Sequence, residues 1–353
     1  MNKTILYGIC GIGNGHLFRQ LPIIKKLKED GYRIIFFSYG DTLKYLLKEK
    51  EEVIEVEVPY FIGDYEGVNF SKTVQHKKYD LNKNLIAMEY AQKEIGKPDF
   101  VISDYEPICA QYAYAYDVPF FTIDQQSKYI KNDFPILNGL NYVDERMRLN
   151  MFFPKANRIV FSFYKYNNID TDTKVFAPIV RKNLVERENA NHYLVYLSSQ
   201  EGFSQSIDDI TNVLGNFPEE TFYIYTKSDV SHLKLDKNVI VCNHHTNSFE
   251  EHLMTCKGVI TNAGHTLISE AMYLKKPVYA IPFKTYEQHH SASMISELWL
   301  GVEAEDLNIN RLQHYLDMDK RYAYNFKQWD VQEKLLGKSE VEEVVNYILD
   351  KAK

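Results

Sequence analysis

The sequence predicts an α/β protein built from two Rossmann-like, doubly wound domains that face each other across a cleft. Three observations lead to this fold class. The chain has 353 residues, which is long for one domain and sufficient for two domains with separate cores. Short runs of β-branched and aromatic residues alternate with helical patterns, as they do in parallel sheets. This alternation stops near residue 178 and starts again near residue 192.

The first alternation predicts an N-terminal domain over residues 1–177. Its expected strands cover residues 4–10, 33–38, 53–58, 99–103, 118–123, 158–163 and 175–177, and its clearest helices cover 16–30, 41–50 and 107–116. Residues 59–71 are expected to form a loop that precedes a long polar helix ending near Lys97. Because strands joined by helical crossovers pair in parallel, we expect a mostly parallel sheet.

A charged stretch without hydrophobic period, residues 178–191, predicts a linker that acts as a hinge between the domains. The second domain is expected over residues 192–320, with strands at 193–197, 221–225, 239–242, 258–261 and 277–281 and helices at 267–274 and 286–298. Residues 321–353 are predicted to be helices that return to the first domain. The apolar residues Val341, Val344, Val345 and Ile348 recur at helical spacing, which favours their burial there.

Composition excludes several classes of protein. A formal net charge of −7 argues against nucleic acid as a partner, because phosphate backbones require a basic surface. The four cysteines lack C-x-x-C spacing and are expected to be reduced core thiols. The start of the chain lacks a signal-peptide pattern, and no apolar stretch reaches the roughly 20 residues that cross a bilayer. The sequence therefore predicts a cytoplasmic protein.

Patterns that suggest a metal are weak. Two Asp-x-Asp triplets, Asp170/Asp172 and Asp317/Asp319, lie away from the strand ends that would bring them to a ligand. Six histidines in the second half lack the spacing of a zinc site and are expected in loops and on the surface; they are His244, His245, His252, His265, His289 and His290. No metal ligand and no cofactor are predicted.

The first predicted strand runs into a series of glycines followed by a histidine. Gly11, Gly13 and Gly15 allow tight turns and close approach to a ligand, and His16 then opens a helix. A dinucleotide-binding fingerprint requires a third glycine where His16 stands, so NAD and FAD are disfavoured. The pattern instead aims an imidazole into the cleft. The alternative is that His16 only caps its helix.

A carboxylate beside the imidazole would complete a general base. Asp104 follows the strand at 99–103, at the sheet edge where the glycine loop also lies. A carboxylate that orients a histidine and stabilises its imidazolium form suits general-base chemistry near neutral pH. The alternative for Asp104 is the N-cap of the helix that begins near Pro107.

In the second half, a strand leads into a helix through a short polar turn. Asn262, Gly264, His265 and Thr266 surround the helix N-terminus, where backbone amides and the helix dipole can hold a diphosphate. Glu270, one to two turns into that helix, could accept both hydroxyl groups of a ribose. Caps and surface acids are common, so the order of these residues carries more weight than any one of them.

An acid and an amide stand side by side on the following predicted helix. Glu287 and Gln288 come shortly after residues 282–283, and this pair suits the hydroxyl groups of a sugar ring. The structural alternative is again an ordinary surface acid and amide.

Together these segments resemble the nucleotide-sugar glycosyltransferases of the GT-B fold, typified by the UDP-glycosyltransferases and the N-acetylglucosaminyl transferase of peptidoglycan synthesis. Residues 261–271 are similar to their diphosphate and ribose signature, and residues 282–292 to their sugar-binding segment. Residues 198–202 resemble their phosphate loop, which implies that Ser199 contacts the donor. Residues 13–16 resemble their loop with the catalytic histidine. Asn262 stands where many relatives have His or Arg.

The resemblance implies an inverting, metal-independent glycosyltransferase. Its donor would be a UDP- or TDP-sugar, bound by Gly13, Gly15, Ser199, Asn262, Gly264, His265, Thr266, Glu270, Glu287 and Gln288. Its acceptor would be a glycan, a lipid or a small molecule, and His16 with Asp104 would remove the acceptor proton. A nucleotide-sugar 2-epimerase of the same fold and a noncatalytic binding subunit are the alternatives. An amphipathic stretch at residues 142–153 allows peripheral contact with a membrane, although a core-facing helix is favoured.

Overall fold

The computed structural model describes residues 3–12, 15–57, 63–64, 67–68, 81–130, 139–166, 172–197, 205–226, 228–242 and 248–353. Two parallel sheets flanked by helices form its two halves, which we call the first lobe and the second lobe. The α/β architecture with two Rossmann-like units is therefore confirmed. Most of the predicted loop at residues 59–71, together with Gly13, Asp170, Ser199, His244 and His245, lies outside the described residues.

The sheet of the first lobe has seven parallel strands. They are β1 (Thr4–Ile9), β2 (Arg33–Ser38), β3 (Val53–Glu55), β6 (Phe100–Asp104), β7 (Phe120–Asp124), β8 (Asn157–Phe161) and β9 (Thr173–Phe176); the short strands β4 (Gly63–Asp64) and β5 (Gly67–Val68) form a separate antiparallel pair. The order is β3-β2-β1-β6-β7-β8-β9. It reverses between β1 and β6, and such a reversal opens a crevice at the carboxyl ends of the strands.

The helices of the first lobe are α1 (Gly15–Glu29), α2 (Gly40–Lys48), α3 (Leu81–Ile95), α4 (Pro107–Ala115) and α5 (Gly139–Phe152), with a 3-10 turn at Ser127–Tyr129. All six residues of β1 are buried, as expected for a strand covered by helices on both faces. The central strands therefore read as continuous apolar runs, which is why the sequence predicts them well.

Six parallel strands form the sheet of the second lobe. They are β10 (His192–Tyr196), β11 (Thr221–Tyr225), β12 (Val239–Cys242), β13 (Val259–Thr261), β14 (Val278–Ala280) and β15 (Gly301–Glu303). Its helices are α6 (Ile207–Gly215), α7 (Ser248–Thr255), α8 (His265–Tyr273), α9 (Tyr286–Glu297) and α10 (Ile309–Asp317). The strand order β12-β11-β10-β13-β14-β15 reverses between β10 and β13. The turn from β13 into α8 therefore leaves the sheet at a crevice.

The predicted linker, residues 178–191, is attached to the second lobe over much of its length. Leu184 is buried in the core of that lobe. Arg181 pairs with Glu270 on α8, and Arg187 pairs with Glu251 on α7. The segment from Arg181 onward therefore belongs structurally to the second lobe. The hinge and the domain boundaries remain predictions.

The C-terminal segment contacts both lobes. It contains α11 (Asp319–Asn325), α12 (Trp329–Gln332) and α13 (Val341–Lys351). Tyr322 packs in a core cluster of the second lobe. Val344, Val345 and Ile348 on α13 are wholly buried in the cluster that contains the apolar face of α1. The chain therefore crosses to the first lobe between α12 and α13.

Helix α5 covers the stretch for which membrane contact was considered. Leu149 and Phe152 pack in the core of the first lobe, while Met147 and Met151 are exposed. Among the described residues, no helix is both long and apolar enough to cross a bilayer. The core-facing side of α5 is thus occupied, and two methionines remain on its outer side.

Candidate active site

The start of α1 in the first lobe faces the start of α8 in the second lobe. Gly15 begins α1, and a Cβ atom built on it would have Thr266 Oγ1 as its nearest neighbour, at 4.0 Å. Thr266 is the second residue of α8. The start of α1, which carries His16, and the predicted diphosphate site therefore lie opposite each other.

Two earlier glycines serve close packing. A Cβ atom on Gly8 would lie 2.6 Å from Glu106 Oε2 and 2.7 Å from Cys109 Cβ. A Cβ atom on Gly11 would collide with the backbone carbonyl of Tyr39. These glycines let α4 and the β2–α2 turn approach β1, which sets the position at which α1 begins.

His16 and Asp104 meet at the strand-order reversal. Ile9 and Asp104 are paired across β1 and β6. His16 Nδ1 lies 2.8 Å from Asp104 Oδ1, and the Asp104 side chain is wholly buried. Glu106 caps α4, because its carboxylate accepts hydrogen bonds from the backbone amides of Ile108 and Cys109 at 2.8 and 2.7 Å. The cap considered for Asp104 is therefore supplied by Glu106.

Sequence reasoning missed two further partners of Asp104. Arg19 donates from Nε to Asp104 Oδ2 at 2.6 Å, and its Nη2 contacts Oδ1. Gln20 Nε2 donates to Oδ2 at 2.7 Å. His16, Arg19 and Gln20 stand three and four residues apart and so share one face of α1. That spacing, beginning at the predicted histidine, was the available signal.

Charges at this cluster move the pKa values in opposite directions. Burial by itself raises the pKa of Asp104, but Arg19 and His16 outweigh burial and lower it to about 2. Burial by itself lowers the pKa of His16, but the charges of Cys10 and Asp104 outweigh burial and Arg19 and raise it to about 10. The charged form of Cys10 is favoured by the same imidazole. We therefore treat His16 and Cys10 as a pair that shares one proton.

Tyr105 covers one side of the His16 ring. The two ring centroids are 6.0 Å apart and the ring planes are inclined by 27°. Tyr105 has a positive φ of 56°, which is unusual for a bulky residue, and its hydroxyl donates to Glu145 at 3.1 Å. Strained backbone of this kind is concentrated at functional sites. Here it places an aromatic ring beside the imidazole.

The turn before α8 leaves the first backbone amides of the helix without a side-chain cap. Ala263 has a positive φ of 60°, and Gly264 is the N-cap residue. Within the described residues, no side chain caps this helix and no acid lies in its first turn. Asn262 Nδ2 donates to the carbonyl of Ile281 at 3.4 Å. The first amides and the positive end of the dipole of α8 therefore stay available to an anion.

Glu270 already has a partner. Its two carboxylate oxygens accept hydrogen bonds from Arg181 Nε and Nη2, both at 2.8 Å. Glu270 is 2% exposed, whereas Arg181 is 39% exposed and lies over the ring of Phe249. A ribose at Glu270 would therefore have to share or displace a guanidinium group that sequence reasoning missed.

The predicted sugar-binding pair divides into two environments. Glu287 Oε2 accepts a hydrogen bond from Gln126 Nε2 at 3.0 Å, which joins α9 to the first lobe. Gln288 Oε1 accepts one from the backbone amide of Phe283 at 2.8 Å and thereby braces the turn before α9. Glu287 is thus at the junction of the lobes, while the carbonyl end of Gln288 is occupied within its own lobe.

The expectation that the histidines of the second half lie in loops or on the surface is wrong for two of them. His265 begins α8 and is buried, because Phe163 packs against it. His290 on α9 is buried against Tyr129 and Tyr164. Each falls where the lobes meet, a position that local sequence cannot show. Among the residues the structure describes, no group of three or more potential metal ligands is present.

Comparison with known proteins shows which family the chain belongs to. The model of glycosyl transferase family 1 matches residues 3–318. The chain therefore belongs to glycosyl transferase family 1, and it is a glycosyltransferase. A search of the curated proteins finds no match.

Solved structures of the GT-B fold resemble the whole chain. The calicheamicin glycosyltransferase CalG4 has a TM-score of 0.68 at 15% identity, covering 99% of this chain and 98% of its own. UGT2 of Phytolacca americana, complexed with UDP-2fluoro-glucose and pterostilbene, has 0.67 at 11% identity, covering 99% of both chains. The glycosyltransferase VinC in complex with DTDP has 0.63 at 12% identity, covering 99% of both chains. The fold is therefore GT-B.

Proposed function

We propose that the protein transfers a sugar, with inversion at C1, from a nucleoside diphosphate donor to an acceptor hydroxyl. The observation that carries the proposal is the opposition of two structures across the cleft. His16 with its carboxylate lies on the first lobe, and the amide-bearing start of α8 lies on the second, with Gly15 next to Thr266. One side can remove a proton and the other can hold a diphosphate.

His16 is assigned as the general base. Asp104 holds the imidazole through Nδ1, which leaves Nε2 as the atom that takes the acceptor proton. When the proton that His16 and Cys10 share is on Cys10, the thiol and the imidazole are both neutral. The neutral imidazole can then take the proton of the acceptor hydroxyl. Because the pKa of His16 is raised, the rate should increase as the pH rises above neutrality.

The start of α8 is assigned to the departing diphosphate. When the bond between C1 and the phosphate oxygen breaks, negative charge develops on that oxygen. The free amides after Gly264, the helix dipole and His265 can stabilise this charge. We propose that these groups suffice without a metal ion, and that Ser199 and Gly13 add contacts to the donor.

The donor is proposed to be a UDP- or TDP-sugar. Glu270 would bind the ribose together with Arg181, and Glu287 the sugar ring. The related structures contain UDP-2fluoro-glucose and DTDP, which supports this choice of nucleotide. Calorimetric titration of UDP, TDP, GDP and ADP tests it. The proposal expects UDP or TDP to bind most tightly, and tightest binding of GDP or ADP would contradict it.

The acceptor is proposed to be a small-molecule hydroxyl, since pterostilbene accompanies the donor analogue in one related structure. Exposed Met147 and Met151 favour a lipid acceptor as the second choice.

A mass-resolved donor assay with candidate acceptors compares wild type with His16→Ala. A positioned base supplies about 10²–10⁴-fold in rate. Activity of the variant within about threefold of wild type would show that His16 is not the general base. Epimerised donor without transfer would indicate an epimerase.

A further inference from the structure

A lysine is buried without a hydrogen-bond partner where the lobes meet. Lys128 belongs to the 3-10 turn Ser127–Tyr129, directly after β7, and its side chain is wholly buried. Its Nζ makes no hydrogen bond within the described part of the chain. A buried ammonium group is costly unless it is paired, so a lysine in this state requires a reason.

Two aromatic rings lie close to the Lys128 amine. Nζ lies 5.3 Å from the ring centroid of Tyr129 and 5.2 Å from that of Tyr164. Both rings pack against His290 of α9, in the second lobe. Cation–π contacts stabilise an ammonium group only in part. The rings therefore fix the side chain at the junction of the lobes without replacing its hydrogen bonds.

The acids within electrostatic reach of Lys128 are engaged elsewhere. Asp124 accepts hydrogen bonds from the Ser127 amide at 2.6 Å and from its hydroxyl at 2.8 Å. Glu287 accepts from Gln126. Arg19, the third charged group that acts on Lys128, is positive and pairs with Asp104. No described carboxylate forms an ion pair with Lys128.

Two of the other buried polar side chains have atoms without a hydrogen-bond partner within the described residues and bear on Lys128. They are His265, through Nε2, and Gln125, through both ends of its amide. Burial lowers the pKa of His265 well below its usual range, and the positive charges of Lys128 and Arg19 lower it further. Lys128 therefore lies within electrostatic reach of the residue that begins α8. Lys128 and Gln125 on the first lobe and His265 on the second can thus donate hydrogen bonds to a negatively charged ligand with several acceptor oxygens.

We propose that Lys128 is a catalytic residue that the first lobe contributes to the diphosphate of the donor. This inference rests on the proposed function. As C1 bonds to the acceptor oxygen, the bond from C1 to the phosphate oxygen breaks and its electron pair stays on that oxygen. The acceptor proton passes to His16. Lys128 keeps its own proton, donates a hydrogen bond to the phosphate and balances the charge that develops there.

The proposal predicts a proton linkage. Burial lowers the pKa of Lys128 to about 7, against the opposing effect of Glu287 and Asp124. At pH 8 the free protein therefore contains mainly the neutral amine. A bound diphosphate favours the ammonium form and raises the pKa, so binding should take up a proton from the buffer.

Calorimetric titration of UDP and TDP at pH 8, in two buffers of different ionisation enthalpy, measures this uptake directly. Full-length wild type should take up a proton fraction approaching one for each nucleotide bound. Lys128→Met should bind at least about tenfold more weakly and lose the uptake. Lys128→Arg should keep most of the affinity but also lose the uptake, because arginine is charged throughout.

Lys276→Met is the matched control. Lys276 is a second buried lysine with a lowered pKa, but it lies in the second lobe and pairs with Asn189. This variant should retain the affinity and the proton uptake of wild type.

Three results would overturn the inference. Unchanged nucleotide affinity and proton uptake in Lys128→Met would show that Lys128 does not contact the diphosphate, while the proposed function would still stand. Persistence of the uptake in Lys128→Arg would assign the proton to another group, of which His265 is the nearest candidate. Failure of wild type to bind any nucleoside diphosphate would remove the proposed function and this inference with it.

Discussion

Arg19 provides a sharp test of how the first lobe controls its histidine. Arg19 Nη2 lies 2.8 Å from His16 Nδ1, and the same guanidinium neutralises Asp104. Replacing it in Arg19→Met removes a positive charge that opposes protonation of His16. It also leaves the Asp104 charge free to favour protonation. Both effects raise the pKa of His16.

The size of the effect follows from the geometry. Two unit charges about 4 Å apart interact by about 4 kcal/mol at an effective dielectric constant near 20. One pKa unit corresponds to about 1.4 kcal/mol, so about three units is the upper limit. We expect about one to two units after relaxation. At a pH below the pKa of a general base, each unit by which that pKa rises lowers the fraction of active base tenfold. The value of kcat/KM at pH 7.5 should therefore fall about 10- to 100-fold.

The assay is the pH profile of kcat/KM between about pH 6.5 and 9.5. Arg19→Met should move the acidic limb to higher pH, so that activity partly returns in alkaline buffer. Cys10→Ser should move it the other way, because the thiolate raises the pKa of His16 and serine stays neutral. Arg33→Met is the control, since Arg33 pairs with Glu52 at an exposed site.

If Arg19→Met damaged the structure of the site, its pH profile would change in a different way. Breaking a buried ion pair costs about 3–5 kcal/mol, so thermal unfolding of each variant must be measured, with Arg19→Lys as the milder change. A misfolded site would lose activity equally at every pH. A pH profile of Arg19→Met that matches wild type, with kcat/KM within threefold at pH 7.5, would show that Arg19 does not lower the pKa of His16.

Three further predictions concern the second lobe and the tail. Arg181→Met leaves the buried Glu270 unpaired and should lower the free energy of unfolding by about 1–3 kcal/mol, a range discounted for the partial exposure of Arg181. Because burial raises the pKa of Glu270, this loss of stability should grow as the pH rises. Equal melting temperatures of variant and wild type at pH 8 would contradict this. Glu270→Gln should weaken UDP binding about tenfold in calorimetry, and unchanged affinity would remove Glu270 from the ribose site. Deletion of residues 337–353 removes Val344, Val345 and Ile348 from the core beside α1, and should lower the melting temperature by several degrees; an unchanged melting temperature would show that α13 does not support the first lobe.

The sequence predicted most elements of the fold because its signals are local. Strands such as β1 and β10 are mainly apolar, and the helix expected at residues 267–274 is present as α8, which begins at His265 with Gly264 as its N-cap residue. The approach of Asp104 to His16 was also accessible, since both follow neighbouring strand ends. Periodicity and strand-end position contain this information without any knowledge of distant contacts.

What the sequence did not show depends on contacts between distant segments. Arg181 and Glu270 are 89 positions apart, and Gln126 and Glu287 are 161 positions apart. Lys128 has no sequence feature that distinguishes it from other charged residues that follow a strand. Its burial becomes apparent only when α9 is placed against the turn that follows β7, through Tyr286 and His290 on Tyr129, which no local pattern reports.

The central claim is that His16 and the start of α8 together perform an inverting transfer without a metal. Proton NMR of the first product formed from a UDP- or TDP-sugar, recorded with excess EDTA, reports the configuration at C1 and the need for metal in one measurement. We expect a product of opposite anomeric configuration to the donor, formed at an undiminished rate. Retained configuration, or loss of turnover in EDTA, would contradict it.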